Sequence, residues 1–185
     1  MTPQPRMWVI DSSSIIRIKQ LATSQAHERA LFGHMAQMVE RGELTFPKQV
    51  ISEVEDWTPP DGAAKWVKNN GPRRQFRDVP DDHLRVVMAE APDVVDPNKT
   101  KDDADPYVIA MARHLRQSGY DVCIVTDDVR QQPRRISMAE ACSRPGLQLS
   151  YCQTVDFLAQ IWPPVAIPSK QPVSIKATPA QPISS

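Results

Sequence analysis

The chain has no excess of charge: 22 basic residues balance 22 acidic ones over its 185 residues. That excludes a protein that coats nucleic acid by bulk electrostatics, but leaves room for an acidic site framed by basic side chains. Cysteine is scarce. Cys123, Cys142 and Cys152 stand far apart with no CxxC or Cys/His ligand spacing, which argues against a zinc site and a disulfide framework. They read as small buried hydrophobes in a reducing compartment. His27, His34, His83 and His114 show no ligand spacing either. No apolar run is long enough to span a membrane, and the start MTPQPRMWVID carries no signal peptide, so a soluble cytoplasmic protein is expected. There are no internal repeats.

What is present is an alternation of apolar strands and amphipathic helices. Met7 to Asp11 (MWVID) is an apolar run ending in a carboxylate and reads as a buried strand. Val122 to Thr126 (VCIVT) is a second strand, Leu147 to Tyr151 a third, and Leu44 to Phe46 a brief one. Helices are predicted directly after the first strand, from Ala26 to Arg41 with Gly42 as its C-terminal cap, and from Pro47 to about Asp56. Others should hold Trp66 and Val67, start at a capping Asp81 or Asp82, run from Pro106 to about Gln117, and cover Ile136 to Cys142 and Val155 to Ile161. This order predicts an α/β fold with a mostly parallel central sheet flanked by helices, occupying residues 1–162. Beyond Trp162, prolines strewn among Ser, Lys and Gln make residues 163–185 a Pro-rich tail without the means to build a core.

Four acids stand out by position. Asp11 ends the first strand, Asp105 precedes Pro106, and Asp127 and Asp128 follow the second strand; each is also placed to cap a helix or line a turn. Glu53 is harder to read as solvated charge. Val50, Glu53, Val54 and Trp57 make an i, i+3, i+4, i+7 stripe, so this glutamate takes a core-facing slot and needs a cation or a hydrogen-bond donor there. In a parallel sheet, strand carboxyl ends and helix N-termini share one edge, where ligands bind. Asp11, Asp105 and Asp128 converge on that edge, and clustered carboxylates call for a hard divalent cation. Such a cation activates water and stabilises a phosphoryl transition state.

The same segments resemble the motifs of the PIN-domain nucleases. WVIDSSSIIRIK is similar to the first motif, PKQVISEVED to the second, KDDADPYVIAMA to the third and VTDD to the fourth, in the family's order over residues 7 to 162. Within that family the chain looks closest to VapC-type bacterial toxins, through ISMAEAC and the strand and helix after it. The resemblance implies a PIN-like three-layer fold and a Mg²⁺ or Mn²⁺ site made by Asp11, Glu53, Asp105 and Asp128. Asp103 and Asp127 would be auxiliaries, with Ser12 or Ser13 positioning an acid or a phosphate. The fourth motif continues as VRQQPRR rather than apolar, which leaves Asp127 and Asp128 as alternatives for the last acid.

The function implied is a metal-dependent endoribonuclease, the toxin of a toxin–antitoxin pair, leaving a 5′-phosphate and a 3′-hydroxyl. Its partners would be RNA, a cognate antitoxin protein and a second copy of the chain. Arg130, Arg134 and Arg135 follow the fourth acid and are placed to hold RNA phosphates. GPRRQFR supplies a second basic cluster, Arg73, Arg74 and Arg77. The competing readings are a PIN-like scaffold that binds protein or RNA without cutting, and an acid-metal phosphatase. The latter wants a second Asp two residues after Asp11, where Ser13 stands.

Overall fold

The computed structural model describes residues 6–57, 62–99 and 102–162, apart from the side chain of Trp57; the Pro-rich tail lies outside the described residues. Four strands form one all-parallel sheet: β1 (Arg6–Ile10), β2 (Leu44–Thr45), β3 (Asp121–Val125) and β4 (Ser150–Cys152), in the order β2-β1-β3-β4. Eight α-helices flank it among the described residues, giving a three-layer α/β architecture: α1 (Ser12–Leu21), α2 (Gln25–Glu40), α3 (Lys48–Trp57), α4 (Gly62–Asn70), α5 (Asp81–Glu90), α6 (Ala104–Gln117), α7 (Met138–Cys142) and α8 (Thr154–Ile161).

The central strands have the composition that burial on both faces demands. In β1 and β3 every residue after the first is buried, without the in–out alternation of a half-exposed strand. α6 shields this pair on one side, and residues Val108 to Ala112 of that helix are all buried. α5 packs on α6 in turn, while α1 to α4 pack on one another. Trp8 meets Phe157 edge-on, and Trp66 is buried with its indole N–H donated to the Phe32 carbonyl at 2.9 Å. Trp162 lies half-buried against the rings of His27 and His34. These tryptophans are core and seam residues.

Helix and strand ends follow local chemistry, with four main departures from the sequence expectation; one is α7, which starts at Met138 behind its Ser137 cap rather than at Ile136. α2 ends as predicted: Gly42 takes φ 71°, and the N–H groups of Gly42 and Glu43 return to the Val39 and Met38 carbonyls at 3.1 and 2.8 Å. α6 begins two residues early, at Ala104. Asp103 rather than Asp105 is its cap, and Pro106 sits inside the first turn, where a missing N–H costs nothing. α5 takes Pro80 at its cap position without a side-chain bond; Asp81 and Asp82 fall in the first turn, where their charge suits the helix dipole. β4 starts three residues late. Leu147 and Leu149 are buried, but they reach the core from a turn in which Gln148 has φ 46° and the Arg144 carbonyl accepts from the N–H groups of Leu147 and Gln148. No helix among the described residues is long and apolar enough to cross a membrane.

Candidate functional site

The strand order puts a crevice where the chain departs to opposite sides of β1 and β3, outside their carboxyl ends. A cavity of about 220 Å³ opens there. Asp11, Glu53, Asp105 and Asp128 all line it, together with Ser12, Ser13, Asp96, Lys99 and Arg135. Four segments far apart in the chain thus deliver their acids to one place.

The pairing of β1 with β3 explains Asp11. Register aligns Ile10 with Val125, and the Asp11 N–H continues the ladder to the Val125 carbonyl at 3.1 Å. The next residue on the neighbouring strand, Thr126, then donates its hydroxyl to Asp11 Oδ2 at 2.6 Å. Ser13 Oγ donates to both carboxylate oxygens at 3.0 and 2.9 Å, and the Ser14 N–H to Oδ1 at 2.8 Å, so Asp11 is indeed the cap of α1. All these donors are neutral. With the side chain buried, desolvation outweighs them and pushes the Asp11 pKa up to about 6.

Glu53 sits on α3 between the fully buried Val50 and Val54, and its carboxylate turns into the cavity. Ser12 Oγ donates to Oε2; Oε1 accepts from the Ala104 N–H at 3.0 Å and from Lys99 Nζ at 2.6 Å. Lys99 also reaches Asp103 Oδ1 at 2.7 Å. Burial alone would lower the Lys99 pKa, but the bonds to Asp103 and Glu53 raise it. Asp103 is the anchor of this corner: besides capping α6, it accepts the Asp96 N–H at 2.8 Å.

On the other side, Arg135 Nη1 bridges Asp105 Oδ2 at 3.0 Å and Asp128 Oδ2 at 2.8 Å. Burial, then the charges of Asp103 and Asp11, raise the Asp105 pKa well above the usual carboxylate range. Asp128 Oδ2 also accepts from the Met138 N–H at 3.0 Å. Asp127 turns away: its two oxygens take the Thr154 N–H at 3.0 Å and the Thr154 hydroxyl at 2.8 Å, tying β3 to the start of α8. Of the two adjacent aspartates, Asp128 faces the cavity and Asp127 braces a helix.

The basic residues divide. Arg130 and Arg134 are exposed, Arg134 lining an adjoining depression with its Nη1 bonding Asn98 Oδ1 at 3.3 Å, whereas Arg135 is internal, with 14% of its side chain exposed. In the other cluster, Arg73 pairs with Glu40 at 2.9 Å, and Arg74 is buried over the Phe46 ring with its bonds on the Gly71 and Phe46 carbonyls. Lys99, Thr126 and Asp96 are site residues that sequence reasoning misses. Thr126 lies within the VTDD motif, but Lys99 sits in a polar loop, DPNKTKDD, that has no periodicity to mark it.

As placed, no three His, Cys, Asp or Glu side chains among the described residues stand close enough to hold a metal ion. The geometry explains this: Arg135 stands between Asp105 and Asp128, and Lys99 between Glu53 and Asp103. The donor set nonetheless suits a hard cation. It consists of carboxylate and hydroxyl oxygens, and Asp11 has bonds only from neutral donors.

No curated protein matches the chain. Residues 8–161, which span the sheet from β1 through α8 and hold every residue of the cavity, match a domain of unknown function, DUF4411, and the chain belongs to that family.

Proposed function

We propose that this protein is a Mg²⁺- or Mn²⁺-dependent endoribonuclease, and that it serves as the toxin of a toxin–antitoxin pair. The observation that carries the reading is the convergence of Asp11, Glu53, Asp105 and Asp128, from four separate segments, on one cavity at the sheet's crevice. Asp11, buried with bonds from neutral donors, and Asp105, buried with Arg135 as its counter-ion, would be the inner ligands. Glu53 and Asp128 would complete the set from α3 and from the loop after β3. A bound cation would supply an activated water and offset the charge of the phosphoryl transition state.

The chain's own residues do the rest. Ser13 and Thr126 hold both oxygens of Asp11 in one orientation, and Ser12 with the Ala104 N–H does the same for Glu53. Arg130 and Arg134, exposed on the loop after the fourth acid, are available to RNA phosphates. The PIN resemblance of the four motifs supports the RNA substrate, the 5′-phosphate product, the antitoxin partner and self-association. The test is cleavage of a labelled RNA in Mn²⁺ and in chelator, with the product ends mapped. Loss of cutting in chelator supports the reading; cutting that survives in chelator sinks it. For the toxin role, induced expression should arrest growth, and co-expression of the protein encoded beside this one should relieve the arrest.

One observation favours a second reading, a binding scaffold without hydrolytic activity. Lys99 and Arg135 already neutralise part of the acidic wall, as they would in a site whose acids serve only structure. Absence of Mn²⁺ binding by calorimetry would favour it.

A further inference from the structure

Arg135 is an odd occupant of a site that asks for a cation. Both of its ion pairs run through one nitrogen, Nη1, and they join carboxylates from different elements, the first turn of α6 and the loop after β3. Its backbone belongs to a loop whose residues 129–134 are all exposed; a turn bond from the Gln132 N–H to the Arg135 carbonyl, at 3.2 Å, shapes the tip. The loop is pinned on either side of that tip, by Asp128 at the Met138 N–H and by the Ile136 N–H on the Asp93 carbonyl at 2.9 Å. Between the pins the long side chain reaches into the acid cavity.

Arg135 also lines a second depression of about 180 Å³, with Asp96, Asn98, Gln132, Pro133 and Arg134. Arg135 thus borders both the acid cavity and a groove that holds a second cation, Arg134, and one acid, Asp96.

We propose that Arg135 is a tethered counter-ion that alternates between two anions. Without a divalent cation it neutralises Asp105 and Asp128; with one bound, it swings to the groove and, beside Arg134, holds a phosphate of the RNA. This rests on the nuclease reading above and adds a regulation to it: RNA binding becomes conditional on the metal. The physical reason is exclusion of like charge. A guanidinium within hydrogen-bond reach of two carboxylates and a divalent cation on the same carboxylates repel strongly in a partly buried site. The residue that leaves carries its donors to the next anion available, and a planar guanidinium suits a phosphate.

The experiment uses the full chain and three readouts. Calorimetry with Mn²⁺ should show Arg135→Gln binding roughly tenfold tighter than wild type, because the resident charge no longer competes. A 2′-O-methyl RNA that resists cleavage should bind wild type about tenfold better in Mn²⁺ than in chelator, a gain that Arg135→Gln loses. The third readout needs no variant. Phenylglyoxal modification of wild-type Arg135, followed by mass spectrometry with Arg134 as internal reference, should speed up when Mn²⁺ is added. The inference is overturned if Arg135→Gln binds Mn²⁺ no tighter than wild type, or if Mn²⁺ leaves the Arg135 modification rate unchanged. Should wild type bind Mn²⁺ and cut RNA while either of those results holds, only the alternation fails and the nuclease reading stands. If wild type neither binds Mn²⁺ nor cuts, both fall.

Discussion

Replacing Asp11 with asparagine separates two roles that the structure has combined in one side chain. Asp11 caps α1 through the Ser14 N–H and lines the acid cavity. As a cap, Asn serves about as well as Asp. As an anion it cannot serve at all. The stability of the substituted protein carries the magnitude. Burial raises the Asp11 pKa from 3.8 to about 6. An acid whose folded pKa lies above its unfolded one binds more protons when folded, so stability falls as pH rises from 3.8 towards 6 and stays low above that. Two pKa units correspond to about 3 kcal/mol, the cost of holding the ionised Asp11 buried at neutral pH. An asparagine in its place carries no such cost. Its amide would face the Thr126 hydroxyl, which already accepts the Asp128 N–H at 3.1 Å, and the bond lost there returns about 1 kcal/mol.

Asp11→Asn should therefore be more stable than wild type by about 2 kcal/mol at pH 7.5 in chelator, and no more stable at pH 4, where wild-type Asp11 is protonated. Mn²⁺ should reverse the order by stabilising wild type alone. Denaturant unfolding at the two pH values, with and without Mn²⁺, measures all of this, and RNA cleavage should vanish in the same variant. If Asp11→Asn matched wild type in stability at pH 7.5 and still cut RNA, Asp11 would be a helix cap and nothing more.

The adjacent aspartates should behave as opposites. Asp127→Ala, which removes the bonds to Thr154, should lower stability by about 1–2 kcal/mol and leave Mn²⁺ affinity alone, whereas Asp128→Asn should weaken Mn²⁺ binding; calorimetry and denaturant unfolding of the pair would show it. Arg74→Met should destabilise by roughly 2–4 kcal/mol, because the buried Gly71 and Phe46 carbonyls lose a charged donor; a melting shift within error would show that water replaces it. His83, packed between α5 and α6 with Arg113 on its Nδ1 at 2.7 Å, has a pKa lowered from 6.5 by burial despite Asp82, with Arg113 and His114 adding to the effect. Its folded form binds fewer protons than its unfolded form, so wild type should lose stability relative to His83→Gln as pH falls through 6.5; parallel melting curves from pH 7.5 to 5 would refute this.

What can be seen in the sequence is whatever rests on local pattern. β1 and β3 are legible because a strand buried on both faces must be apolar throughout, and Glu53 because one acid in a stripe of Val50 and Val54 breaks a periodic rule. β4 is easily misplaced because Leu147 and Leu149 copy strand alternation from within a turn; only the positive φ of Gln148 betrays it. The cap of α6 is ambiguous because Pro106 is acceptable anywhere in a first turn, so the chemistry that favours Asp105 as a cap favours Asp103 equally. The basic clusters are the least readable. Arg74 and Arg135 look like neighbours of solvated arginines, yet one is buried among carbonyls and the other among carboxylates. Both roles depend on groups tens of residues away or on loop geometry, and neither leaves a period in the sequence.

Charge then limits what the cavity can do with RNA. Five carboxylates and two cations line it, in a chain whose total charge is zero. RNA is a polyanion, and a net-negative wall repels its backbone unless positive charge is brought in. Protonation can relieve part of the imbalance, since Asp11 and Asp105 both hold protons above the usual carboxylate range, but at neutral pH Asp11, with a pKa of about 6, is mostly ionised. The acid cavity itself therefore disfavours RNA in the absence of a cation, and a scaffold using this cavity would suit a basic partner better. A nuclease would need the divalent ion merely to let the substrate approach, before any bond is broken. RNA affinity measured with and without Mn²⁺ at fixed ionic strength thus decides between the readings even where no cleavage is seen. Enhancement by Mn²⁺ belongs to the nuclease, and indifference to Mn²⁺ would move RNA off this edge of the sheet.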